Sequence, residues 1–216
     1  SPLAEEHAAE EAAEAAEEVG ADSWWNVSFT PIREADGRVI GIHIAWQERT
    51  ASVLSARRLQ LLNRLAAAET AGDRRAALAG ALRVLEGSPD ISFAAAYLLD
   101  AAGKQALLAG TAGVAEGDAL APRQLAARTA WEAWPLQQVL EQGKCVVVDD
   151  VQARLAPTAA PTPAESRGTR AAAVVCPLRD RVEGRAIGAL VLGMNPRLAR
   201  DEVYHDFLTL LGDTIG

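Results

Sequence analysis

The stretch AIGALVLGMNPRLARDEVYHDFLTLL, residues 186–211, changes its hydrophobic period once, and the class of the fold is read from that change. Its first nine residues are an apolar run of strand length. Asn195 and Pro196 interrupt it, and from about Arg200 onward Val203, Phe207, Leu210 and Leu211 recur at helical spacing. Just upstream, AAVVCPL (172–178) is a second run of the same kind, with Arg179–Gly184 between them. A hairpin of Ala171–Leu178 and Ala186–Met194 followed by a helix is therefore expected.

Working back toward the N-terminus, the loop-and-strand character persists. Residues 152–168, QARLAPTAAPTPAESRG, hold Pro157, Pro161 and Pro163, which exclude regular structure and mark a long loop of the kind that often covers a site. Cys145–Val148 reads as a short buried strand. Before it, Pro135 suits the first turn of a short helix with Leu136, Val139 and Leu140 on one face, and Gly143 ends that helix. Residues 112–129, with Gly117 and Pro122, read as loop with at most a short helix. Ile91–Asp100 (ISFAAAYLLD) and Gln105–Thr111 (QALLAGT) are two strands joined by a turn at Ala101–Lys104.

Two helices precede these strands. Asp73 caps one that carries Leu78, Leu82 and Leu85 at helical spacing and closes at Gly87. Thr50 caps the other, which runs from Ala51 to about Thr70. On it Leu54, Leu61, Leu65 and Ala68 form a stripe flanked by Leu59, Leu62 and Ala66, a face broader than a strict coiled-coil seam.

At the front of the chain, Trp24–Phe29 reads as a strand ended by Pro31, and Asp36-Gly37 turns it into a second strand over Arg38–Trp46. Along that second strand Ile40, Ile42, Ile44 and Trp46 share one apolar face, leaving His43 on the other. Residues 4–19 are nearly pure Ala and Glu, a helical leader without a large apolar stripe.

Composition narrows the function classes. Half of the 216 residues are hydrophobic and 23% are charged, as in folded domains. The net charge of −8 is concentrated at the front, where seven Glu and no Lys or Arg fall within the first 20 residues. The remainder is nearly neutral and has no basic stripe, which argues against direct nucleic-acid binding. No run approaches the roughly 18–20 apolar residues of a membrane-spanning helix. The expectation is a cytoplasmic piece of a larger protein, since the chain opens Ser1-Pro2 and its last helix has no closing signal. Cys145 and Cys176 form no CxxC pair and read as buried free thiols, and no metal site is expected.

The order of elements over residues 52–216 resembles a GAF domain. The segments that carry the resemblance are LLNRLAAA (61–68), FAAAYLLDAAGK (93–104), WPLQQVLEQGKCVVVDDV (134–151), and AAVVCPL with the 186–211 stretch. Residues 25–50, WNVSFTPIREADGRVIGIHIAWQERT, resemble the last strands of a PAS domain, whose closing Asp-x-Thr stands here as Glu48-Arg49-Thr50. The resemblance implies an α+β, GAF-like fold: a central, mostly antiparallel sheet of about six strands with N- and C-terminal helices packed on one face. It divides the chain into an acidic leader (1–22), PAS-like strands (23–50), a connecting helix (51–71) and a GAF-like domain (72–216).

What the resemblance implies for function is an input module of a bacterial sensor protein, a histidine kinase or related phosphatase, that relays a signal to a downstream output domain. A homodimer is expected through Leu54, Leu61, Leu65, Ala68, Phe207 and Leu211. A small-molecule ligand would lie against Tyr97, Trp131, Trp134 and Cys176, and no cofactor is required by the sequence. The alternative is a purely structural relay without ligand. A third reading, a free methionine sulfoxide reductase, fails on inventory, because enzymes of that type use three cysteines and only two are present. Covalent pigment attachment is disfavoured because Pro177 follows Cys176 and Val146 follows Cys145. Cyclic-nucleotide binding is disfavoured because Pro196 stands after Asn195, where that pattern has Lys. No catalytic residue is assigned.

Overall fold

The computed structural model describes residues 22–68, 73–127, 134–149, 151, 172–180 and 184–216. The expected leader helix, Trp131 and the Pro-rich loop lie outside the described residues. The chain divides into two compact units, residues 1–59 and 60–216.

In the first unit, β1 (Trp25–Arg33) and β2 (Val39–Glu48) form an antiparallel hairpin with Phe29 opposite Ile44 and Val27 opposite Trp46. Contrary to expectation, β1 runs through Pro31, which pairs with Ile42. In a two-stranded ladder every second residue directs its N–H away from the partner, and a proline there removes no cross-strand bond. The expected apolar face forms and is exposed: Phe29 is 65% and Trp46 67% accessible, with Ile42 and Ile44 between them. Helix α1 (Thr50–Ala67) follows. The Thr50 hydroxyl accepts from the Trp24 amide at 3.0 Å rather than capping its own helix, and the Arg57 guanidinium lies 5.4 Å from the Trp24 ring centre.

The second unit is built on a six-stranded antiparallel sheet in the order β5-β4-β3-β8-β7-β6. Its strands are β3 (Ile91–Leu99), β4 (Gln105–Ala112), β5 (Gln124–Ala126), β6 (Val146–Val148), β7 (Ala173–Arg179) and β8 (Ala186–Met194). β5 was not expected. It is three residues long, too short to show a period, and it forms because Leu125 pairs with Ala106 and is buried there. The β3–β4 turn is held by the Asp100 carboxylate, which accepts from the amides of Lys104 and Gln105. These bonds hold its pKa below the usual carboxylate range.

Helix α2 (Arg74–Leu85) starts at Asp73, whose carboxylate accepts from the Arg75 amide, and buries Leu78, Leu82 and Leu85. Leu82 packs over Gly110 of β4. Helix α3 (Leu136–Gln142) ends at Gly143 in the left-handed conformation, as expected. Helix α4 (Glu202–Ile215) is capped by Asp201 and buries Tyr204, Phe207, Leu208 and Leu211. The face expected to include Val203 and Leu210 is turned: both are exposed, while Tyr204 faces inward. The Tyr204 hydroxyl donates to the Asp90 carbonyl and accepts from the Asn195 amide at 2.9 Å, which settles the rotation of the helix.

Strand alternation separates two faces. Ala94, Ala96, Leu190, Leu192, Val174 and Cys176 lie toward the side of α2 and α4. Phe93, Ala95, Tyr97, Val191 and Val175 lie on the other side, with α3. The α+β architecture with helices flanking an antiparallel sheet is thus as expected.

Close approach between β3 and β8 depends on Gly188, where a Cβ would stand 2.0 Å from the Tyr97 carbonyl oxygen. Gly188→Ala is expected to destabilise the chain by about 2–3 kcal/mol, because backbone must move to make room. Gly87→Ala, where a Cβ meets nothing within 4 Å, should change it by less than about 0.5 kcal/mol. Urea unfolding of the two variants makes the comparison.

Candidate functional site

The site begins with a glycine. Gly193 on β8 lies opposite Phe93 on β3, and a Cβ there would fall 2.2 Å from the Phe93 ring, so the ring rests on bare backbone. So held, Phe93 meets Trp134 with ring centres 6.1 Å apart and planes tilted by 39°. Trp134 stands just ahead of Pro135 and α3. Its indole N–H donates to the Leu120 carbonyl at 3.2 Å, tying the segment before β5 to the start of α3.

Tyr97 enters the same cluster two turns of the strand pleat away, with Ala106, Ala189 and Val175 around it. Tyr97 is 0% and Trp134 1% accessible. The Tyr97 hydroxyl has no hydrogen-bond partner among the described residues. A buried hydroxyl left unpaired costs about 1–3 kcal/mol. Burial also pushes the phenol pKa well above its ordinary value of 10.0.

Of the four residues expected to contact a ligand, the structure brings together Tyr97 and Trp134. Cys176 is a correction. It lies on the opposite face of the sheet and is bonded to Cys145, where two free thiols were expected. Val146 pairs with Val175 in the β6–β7 ladder, so the next step places 145 and 176 directly opposite each other, with Cα atoms 4.1 Å apart.

The expected dimer stripe is also placed differently. Leu61, Leu65, Phe207 and Leu211 are buried within a single chain, and Leu54 and Ala68 are half-buried. The apolar residues that α4 leaves exposed are Val203 and Leu210. His43 is exposed on β2, and the His205 ring nitrogen sits 2.8 Å from the Asp201 carbonyl of its own helix. Among the described residues no three His, Cys, Asp or Glu side chains gather to hold a metal.

Sequence reasoning missed a cleft of about 630 Å³ at one end of the sheet, bounded by the β3–β4 turn, α3 and the start of β8. Asp100, Gln137, Glu141 and Arg185 line it with Leu98 and Leu140. Its mixed charge and open mouth suit water better than an apolar ligand. Because its walls come from five segments distant in sequence, no local pattern announces it.

Removing the unpaired hydroxyl has a signed consequence. Tyr97→Phe should stabilise the unliganded protein by roughly 1 kcal/mol, because it deletes a buried group that has lost its water. A raised phenol pKa means that the folded state stays protonated where the unfolded chain ionises. This titration leaves the stability of the fold unchanged below pH 10.0 and lowers it progressively above. The gap between wild type and Tyr97→Phe should therefore widen in the variant's favour as pH rises past that value, as read by denaturant midpoints.

Comparison with known proteins places this arrangement. No curated protein matches the chain by sequence. Among solved structures it is similar to the GAF domain of an Acinetobacter phosphoenolpyruvate-protein phosphotransferase, at 13% identity and a TM-score of 0.50 over 76% of this chain and 90% of that one. It is similar also to the GAF domain of a phosphoenolpyruvate-protein phosphotransferase from Coxiella burnetii, at 16% identity and a TM-score of 0.52, over 74% and 91% of the two chains. A third likeness is a free methionine-R-sulfoxide reductase from Neisseria meningitidis, solved with its substrate, at 22% identity and a TM-score of 0.50 over 76% and 87%. At these identities the likeness concerns the fold. The sequence itself matches the GAF domain family over residues 73–216, more than half of its length, and the chain belongs to that family.

Proposed function

We propose that this chain is a sensory and regulatory input module of a bacterial signalling protein, and that its GAF domain binds a small, mostly apolar molecule carrying one hydrogen-bonding group. The observation that carries the reading is the Tyr97 hydroxyl, buried without a hydrogen-bond partner among the described residues, in the same largely apolar cluster as Trp134. Such sites pair an apolar wall with few polar anchors. A ligand that accepts or donates one hydrogen bond there removes an existing penalty, and so gains affinity that a purely apolar molecule would not.

The hairpin β1–β2 is read as the closing strands of a PAS-like sheet. What supports this is its exposed face of Val27, Phe29, Ile42, Ile44 and Trp46, which two strands alone do not cover. The module is placed in the cytoplasm, upstream of an output domain of the histidine kinase or phosphatase type. Ligand binding biases that output only by the ligand's differential affinity for two arrangements of the flanking helices. A homodimer through the helices would use exposed residues of α4, Val203 and Leu210, because the leucines of the expected stripe are already occupied. A purely structural relay is the second reading, and the near-complete closure of the Tyr97–Trp134 cluster favours it.

Native mass spectrometry of the purified chain, followed by tryptophan fluorescence titration with a small-metabolite library, separates the two. The sensor reading expects a retained or added ligand mass and an emission shift that Trp134→Phe abolishes. Tyr97→Phe should weaken binding by about tenfold, the value of one hydrogen bond of roughly 1.4 kcal/mol. No added mass and no spectral response leaves the relay. In the same spectra Val203→Glu with Leu210→Glu should convert dimer to monomer, and a wild-type chain that is already monomeric refutes the dimer.

A further inference from the structure

The Cys145–Cys176 bond joins a half-buried residue to a fully buried one. Cys176, on β7, is fully buried beneath α4, its Sγ 4.0 Å from the Leu208 carbonyl. Gly212 of α4 lies directly over it: a Cβ at that glycine would be 2.5 Å from the Cys176 Cβ, 2.7 Å from its Sγ and 3.7 Å from the Cys145 Sγ. Cys145 stands at the open start of β6 and is half-buried. β6 is three residues long and is one of the two edge strands of the sheet. The bond therefore ties the start of a short edge strand to the interior at a spot where the last helix lies close against the sheet.

We propose that this pair is a thiol–disulfide exchange site whose co-substrate is a dithiol reductant and whose readout is the packing of α4. A thiolate of the reductant attacks the Cys145 Sγ. The electron pair of the Cys145–Cys176 bond leaves with the Cys176 sulfur, which takes a proton. The reductant's second thiolate then attacks its own sulfur in the mixed disulfide, releasing Cys145, which is protonated in turn. Two electrons and two protons pass to the protein, and the reductant leaves as a disulfide.

The order of attack follows from access, since a nucleophile reaches the half-buried sulfur and the buried one is the leaving group. The consequence follows from space. Two thiols cannot stand as close as two bonded sulfurs, and on the α4 side Gly212 already lies so close over Cys176 that even a Cβ there would overlap it. Reduction thus pushes the separated sulfurs against α4 and lifts its last turns. This site lies on the sheet face opposite Tyr97 and Trp134, and it does not depend on the ligand reading above.

The test uses the whole chain, purified in air without reductant and exposed under native conditions to dithiothreitol at a series of reduced-to-oxidised ratios. Acid quench, alkylation and mass spectrometry then count thiols at each cysteine. The proposal expects an intact bond at the start, a single two-electron titration in which both cysteines become alkylated together, and trapped mixed disulfide on Cys145. Backbone hydrogen exchange over residues 208–216 should rise by about tenfold on reduction, while that of β3 stays unchanged. As single variants, Cys176→Ser should leave a Cys145 that reacts with a disulfide probe in the native state, and Cys145→Ser a Cys176 that reacts only in denaturant. Two free thiols in the starting protein, reduction only after unfolding, mixed disulfide on Cys176, or unchanged exchange in α4 would each overturn the proposal. The wild-type titration and exchange measurements decide the matter even where a variant fails to fold.

Discussion

The pairing of β3 with β8 is the contact on which the rest of the second unit depends. These two strands occupy the centre of the sheet, and both are buried on both faces. Small residues make the approach possible: Ala94, Ala95 and Ala96 on one strand, Gly188 and Gly193 on the other. At Gly188 the Tyr97 carbonyl occupies the place of a Cβ, and at Gly193 the Phe93 ring does. Bulk missing from the centre of the sheet is supplied by its two coverings, helices on one side and an aromatic and aliphatic cluster on the other. Dense packing of that kind transmits displacement instead of absorbing it.

The two faces carry separate chemistry. On the side of α3, Phe93, Tyr97 and Trp134 build an apolar cluster with one polar atom out of place. On the side of α4, a disulfide lies where helix backbone and sheet nearly touch. A strand alternates its side chains, so Val175 and Cys176 are neighbours in sequence yet belong to different sites. Under the two proposals made above, this one sheet would take two inputs, one by occupancy and the other by oxidation state.

Which features were legible depended on whether their cause was local. The Asp73 and Asp201 caps, the Gly143 stop and the Asp100 turn are decided within four or five residues, and Asp73, Gly143 and the turn at 101–104 could be read directly. Tyr97 and Trp134 were recognised as candidates because large aromatics beside loops are conspicuous, although the unpaired state of the phenol was not readable. β5 escaped because three residues have no period. The rotation of α4 was misjudged because Val203 and Leu210 fit an apolar stripe as well as Tyr204 and Leu208 do. The choice was made by the Tyr204 hydroxyl, which accepts from the Asn195 amide nine residues back and donates to the Asp90 carbonyl 114 residues away.

By itself, then, the sequence determined the succession of helices and strands, the α+β class, the GAF resemblance and the apolar face of the first hairpin, because periodicity, caps and turns act over a few residues. Only the tertiary structure decided that Cys145 and Cys176 are partners, that Leu61 and Leu65 are buried within one chain, and that Cys176 stands on the far side of the sheet from Tyr97. Each of these depends on strand register or on packing between segments far apart in the chain. A shift of one residue in register would move every side chain of a strand to the other face.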